Sequence, residues 1–121
     1  MAVSNRDRVG KGLELMASGL RPFVERELKA RLGSGWERAV NENQRGPSQS
    51  ASWDDPQVLL AVMWDQWNAV FRDSLGHAER SLVSELRTVR NNWAHNGQFT
   101  GNDAIRALDS MERLLNAVSA G

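Results

Sequence analysis

Cysteine is absent from the 121 residues, so disulfides, thiolate catalysis and cysteine-based zinc sites are excluded, and a reducing compartment is the natural home. Tyrosine is absent as well. β-Branched residues are sparse, and no stretch alternates apolar with polar residues for long enough to make a strand. No apolar run approaches the roughly 20 residues of a membrane span, and no charged-apolar-small leader opens the chain. Net charge is missing too, because 15 basic residues balance 15 acidic ones. That balance argues against a broad electrostatic grip on nucleic acid, so any nucleic-acid chemistry has to rest on a local site. With two histidines and no cluster at ligand spacing, neither a metal nor another cofactor is expected. What is present is 40% hydrophobic residues in a length that suits one domain over residues 1–121, soluble and cytoplasmic, without internal repeats.

Helical periodicity organises nearly all of the chain. A first helix is expected from about Asn5 to Ser18, with Val9, Leu13, Met16 and Leu20 at helical spacing; Gly10 and Gly12 each weaken it by roughly 1 kcal/mol relative to alanine. Gly19 suits its stop, and Pro22 suits the first turn of a second helix reaching about Leu32. Gly33-Ser34-Gly35 breaks the pattern, and Trp36–Val40 has room for a short helical turn. The stretch from Asn41 to Trp53 is rich in Asn, Gln, Ser, Gly and Pro and reads as part of an exposed loop over 41–55. Asp55 as N-cap and Pro56 at the first helical position start a third helix. Its Leu59, Leu60, Met63, Trp64, Trp67, Val70, Phe71 and Leu75 share one arc of about 160°, with Asp65, Arg72 and Asp73 opposite. Gly76 ends it. A fourth helix from about Ala78 to His95 buries Leu82, Val83, Leu86, Val89 and Trp93, and Asn96-Gly97 supplies its stop. Thr100-Gly101-Asn102-Asp103 resembles a capping box with aspartate in place of glutamate. It opens a last helix to about Ser119, with Ala104, Ala107, Leu108, Met111, Leu114, Leu115 and Val118 facing in. The expected fold is all-α, an antiparallel bundle of about five helices.

The string Arg90-Asn91-Asn92-Trp93-Ala94-His95 closes the fourth helix and sets a guanidinium, a carboxamide and an imidazole within about one and a half turns. An imidazole, with a reference pKa of about 6.5, acts as base or acid around neutral pH. A guanidinium offers a planar fork of donors to a phosphate and to the charge that develops on a phosphorane. Asn91 lies four residues before His95 on the same face, where it can orient the imidazole or donate to a phosphate oxygen. These groups fit RNA cleavage by attack of the 2′-hydroxyl on the adjacent phosphorus, leaving a 2′,3′-cyclic phosphate and a 5′-hydroxyl without a metal. One histidine cannot readily serve as base and acid at once. Ser84, Thr88, Asn91 and His95 form a stripe roughly opposite the apolar face, without long charged side chains, which another surface can approach closely.

Plainer roles compete. An arginine and a histidine near a helix C-terminus both complement the macrodipole. Asn92 reads as polar surface, His77 as structural or solvated, and Asp65 and Asp73 as solubilising residues rather than metal ligands. The run from Glu25 to Arg31 reads as a solvated face. Trp64, Trp67 and Trp93 fall at core spacing and read as core or dimer interface ahead of a platform for bases; spacing assigns Trp36 and Trp53 no role.

These residues carry a family resemblance. The Arg90 to His95 string is similar to the Arg-(four to six residues)-His signature of HEPN domains, small helical bundles that often act as RNA endonucleases, and Asn91 matches the polar residue usual after the arginine. Pro22-Phe23-Val24-Glu25-Arg26-Glu27-Leu28, Met63-Trp64-Asp65-Gln66-Trp67-Asn68 and Leu75-Gly76-His77-Ala78-Glu79-Arg80 resemble the HEPN subfamily named after the yeast Swt-one endoribonuclease. So do Ser84 through His95 and the run from Ala107 to Leu115. The likeness extends from about Leu20 to Ala120 and is weakest around residues 41–55. It implies a homodimer in which two copies of the motif face each other across a cleft, with Arg90, Asn91 and His95 as the catalytic set and RNA as substrate. Phage defence, stress response, RNA quality control or a toxin–antitoxin pair would be the setting. The alternative is a non-catalytic module that dimerises, docks or binds RNA for a larger ATPase- or helicase-type protein, because such domains commonly stand at the front of longer bacterial proteins. Zero net charge favours docking, and the intact Arg90, Asn91 and His95 favour the enzyme. The chain is accordingly expected either as an N-terminal module or as a stand-alone product.

Overall fold

A computed structural model describes residues 4–36, 55–95 and 97–119. Four α-helices carry the bundle: α1 Asn5–Leu32, α2 Pro56–Asp65, α3 His77–Ala94 and α4 Gly101–Ser119. No strand occurs among the described residues, as the missing alternation predicts, and no helix among them is long and apolar enough to cross a membrane. The loop expected from 41 onward lies outside the described residues as far as 54, as do Trp53, Asn96 and all but Trp36 of the turn expected at Trp36–Val40.

α1 departs most from the periodicity reading. It starts where expected, with Ser4 accepting from the Asp7 N–H at 3.0 Å. It then runs unbroken through Gly19 and Pro22, so the two helices expected here are one. Val9, Leu13, Met16, Leu20, Val24 and Leu28 are all buried, and this apolar stripe continues across the proline without a change of face. Pro22 deprives the Ser18 carbonyl of its usual helical donor, but Ser18, Gly19 and Pro22 are exposed and water can serve that oxygen. Gly12 and Gly19 are seats rather than stops. A Cβ at Gly12 would lie 2.6 Å from Leu108 Cδ2 and 2.8 Å from Met111 Sδ, and one at Gly19 2.6 Å from Leu115 Cδ2. Both glycines thus lie where side-chain ends of α4 rest on α1, and the register of these contacts makes the two helices run parallel.

α2 begins as read: Asp55 is extended, its Oδ1 accepts from the Gln57 N–H at 2.9 Å, and Pro56 takes the first helical position. It does not continue regularly to Leu75. After Asp65 the backbone widens at Gln66 into a π-helical turn, Trp67–Phe71, where the Arg72 N–H donates to the Trp67 carbonyl at 2.8 Å. The wider turn re-registers the chain so that Trp67, Val70 and Phe71 reach the core already lined by Leu59, Leu60 and Met63. Trp67 is thus core. Trp64, Trp93 and Trp36 pack against it half-buried.

α3 runs antiparallel to both neighbours. Trp64 of α2 meets Arg80 and Arg87, and Glu85 meets Arg106 and Ser110 of α4. At its start the Gly76 N–H donates to Glu79 Oε1 at 3.0 Å, half of a capping box. The box expected at α4 is complete: the Thr100 N–H donates to Asp103 Oδ2 and the Asp103 N–H to Thr100 Oγ1, each at 3.0 Å. Ala104, Ala107, Met111, Leu114 and Val118 are buried as expected, with Leu108 and Leu115 half-covered by the approach of α1.

Candidate functional site

Arg90 leaves α3 on the side facing α2. Its side chain is only 20% exposed, and Nη2 lies 3.9 Å from Asp55 Oδ1. Asp55 therefore has two duties: it caps α2 through Gln57 and faces the guanidinium on the next helix. Arg90 and Asn91 share a small cleft of about 80 Å³ with Gln57, Ala61 and Arg87. Two guanidinium groups one turn apart and two carboxamides line it, a donor-rich wall that suits an anion. Arg87 and Arg80 also lie over the Trp64 ring, at 5.8 and 4.7 Å from its centroid, which holds the row of arginines against α2.

His95 ends α3 and is exposed. Its N–H donates to the Asn91 carbonyl at 3.0 Å, and the Gly97 N–H donates to the Asn92 carbonyl at 2.6 Å, which closes the helix end. A Cβ at Gly97 would lie 2.7 Å from that carbonyl, so the closure depends on glycine there. His95 does not line the Arg90 cleft. Five residues of helix place the two side chains about 140° apart around the axis. The structure thus brings Arg90 and Asn91 together and leaves the imidazole on another side of the same helix end. Ser84, Thr88, Asn91 and His95 are all exposed, so the small-polar stripe exists as an open surface along α3.

The ionisable groups nearby are structural. Glu85 is held below its ordinary carboxyl value, chiefly by the hydrogen bond from Ser110; burial opposes this, and the Arg106 guanidinium at 2.6 Å adds to the lowering. Asp103 is held low by the backbone and hydroxyl of Thr100. Both carboxyls sit with Asn92 around a second hollow between α3 and α4, where neither serves as an acid near neutral pH. Asp73 pairs with Arg31 at 2.9 Å, and Asp65 and His77 are exposed. Periodicity alone did not single out Gln57, Arg87 or the second duty of Asp55, because each acts across the α2–α3 contact rather than along one helix.

A family model, Swt1-like HEPN, matches residues 11–119. No curated protein and no solved structure matches the chain. The matched span takes in nearly all of the helical bundle and the whole string from Arg90 to His95, and the chain belongs to the Swt1-like HEPN family.

Proposed function

We propose that this domain is an endoribonuclease that cleaves RNA without a metal, through a composite site formed by two copies of the chain. The division of the motif carries the reading: Arg90 and Asn91 line a donor-rich cleft, while His95 stands exposed at the end of the same helix beside an open polar stripe. A second copy laid along that stripe would add its own imidazole to the site. One His95 takes the proton of the 2′-hydroxyl as O2′ attacks phosphorus. Arg90 holds the phosphate and the charge on the pentacoordinate intermediate, and Asn91 donates to a phosphate oxygen or orients the imidazole. The second His95 gives a proton to the departing O5′. A 2′,3′-cyclic phosphate and a 5′-hydroxyl result, with protons balanced between base and acid. Such an enzyme suits the cytoplasm, in phage defence, stress response, a toxin–antitoxin pair or RNA quality control.

A specific observation favours a second reading. Arg90 is mostly covered and already faces Asp55, so an RNA phosphate has to displace a carboxylate. That arrangement also fits a module that docks or dimerises a larger ATPase- or helicase-type protein. The deciding experiment is cleavage of a long structured RNA in EDTA by wild type, Arg90→Ala and His95→Ala. Cutting by wild type alone, with cyclic-phosphate ends, supports the nuclease. Equal cutting by all three removes the site assignment, and no cutting by folded dimers moves the docking module ahead.

A further inference from the structure

The end of α3 that presents His95 is gripped by the first turns of α1. Arg6 Nη2 donates to the Trp93 carbonyl at 2.7 Å, two residues before His95, and the same guanidinium lies over the Trp93 ring at 4.9 Å from its centroid. The indole also rests on Gly10, where a Cβ would lie 2.8 Å from Trp93 Nε1 and 3.1 Å from two ring carbons. Asn5 Nδ2 donates to the Phe99 carbonyl at 3.1 Å, on the segment that leaves the helix end. One turn of α1 thus holds the chain just before and just after His95. Residues 5–10 precede the span matched by the family, 11–119, so this grip is not part of what that match conveys.

We infer that Arg6 is a positioning residue for His95, acting through Trp93 with Asn5 and Gly10 completing the clamp; this rests on the reading of His95 as the proton-transfer group. The physical argument concerns where the orphan carbonyls of a helix end go. The last carbonyls of α3 lack helical donors, and an arginine that donates to one of them also opposes the negative end of the macrodipole. A planar guanidinium on an indole cannot shift without losing the carbonyl bond as well, so the two contacts together fix the helix end. An imidazole carried on that end is then held in one place relative to Arg90. Misplacement of a proton-transfer group by about 1 Å is enough to cost on the order of a hundredfold in rate. Arg6 itself need not touch RNA.

The test compares wild type, Arg6→Ala, Arg6→Lys and Gly10→Ala by amide hydrogen exchange and by steady-state RNA cleavage. Exchange at the His95 and Gly97 amides should quicken by roughly tenfold in Arg6→Ala, with Leu86 and Leu114 in the core unchanged. For the same variant kcat should fall by roughly tenfold to a hundredfold while KM stays within about threefold, and Arg6→Lys, which keeps a charged donor for the carbonyl but not the planar stack on the indole, should recover only part of the loss. Unchanged exchange at His95 and Gly97 in folded Arg6→Ala overturns the inference. A change in KM alone also overturns it, since Arg6 would then be an RNA contact. If Arg6→Ala does not fold, Gly10→Ala carries the test, because it disturbs only the seat of the indole and should speed the same two amides. If wild type cuts no RNA, the proposed function fails, and the exchange data still decide whether the clamp exists.

Discussion

Asp55 links two jobs that substitution can separate. Asparagine caps a helix about as well as aspartate but carries no charge to hold Arg90. Asp55→Asn should leave stability within about 0.5 kcal/mol of wild type while tightening RNA binding several-fold, roughly the worth of a partly exposed ion pair. Asp55→Ala loses the cap as well and should cost about 1 kcal/mol in urea unfolding. Fluorescence anisotropy with a labelled RNA reads the first effect; equal affinity for wild type and Asp55→Asn would show that the carboxylate does not compete for the guanidinium. Of these duties only the cap was readable beforehand, because Asp55, Pro56 and Gln57 are neighbours in the chain. The approach to Arg90 depends on how α2 lies on α3, and no local pattern states that. The same holds for Arg6, whose partner Trp93 lies 87 residues further along the chain.

Along α1, glycine and proline acted against their usual local meanings. Gly19 and Pro22 are good stop and start signals, yet the helix passes through both because burial along one stripe outweighs a lost hydrogen bond at an exposed carbonyl. Their neighbours in space decide how each glycine tolerates a methyl group. At Gly19 the obstacle is the end of the half-buried, flexible Leu115 side chain, whereas at Gly10 it is the rigid Trp93 ring. Gly19→Ala should therefore keep most of the roughly 1 kcal/mol gain in helix propensity and raise the melting temperature. Gly10→Ala should lower it, since overpacking against a rigid group typically costs about 1–3 kcal/mol. Thermal melts of the two variants check the sign, and a loss of stability in Gly19→Ala would show that Leu115 has nowhere to go. Caps were easier to read than boundaries: Ser4, Asp55 and the Thr100–Asp103 pair all accept the hydrogen bonds their residue types suggest. The π turn after Asp65 was not readable, because it answers a demand of the core for Trp67, Val70 and Phe71 together.

As a unit, the bundle should respond to acid through the carboxylates that tie its helices. Glu85 on α3 is held below its ordinary value of 4.5 by Ser110 and Arg106 of α4, and Asp103 below 3.8 by Thr100. Each folded-state pKa is depressed, so each contribution is fully present above the ordinary value and is lost as pH falls through the lower, folded one. Urea midpoints should thus begin to fall below pH 4.5, and Glu85→Gln should make that fall shallower. An unaltered slope in the variant would show that Glu85 titrates freely in solution. The composite site makes a further prediction about pairs of chains. If each site uses both histidines, mixing wild type with His95→Ala and allowing subunits to exchange should reduce cleavage as the square of the wild-type fraction. A proportional decrease would mean that each copy works alone.

Composition and periodicity by themselves determined that this chain is helical, where most of its helices are capped, which faces are apolar, and that Arg90, Asn91 and His95 gather at one helix end; the motif and its flanking strings pointed to the family. These are consequences of spacing along a helix, which the order of residues states directly. The continuity of α1, the parallel seating of α1 on α4, the separation of His95 from the Arg90 cleft, and the partners Asp55 and Arg6 came only from packing. Each of them depends on which surfaces of distant segments meet, and that is settled by burial of the whole core at once rather than by any stretch of sequence within it.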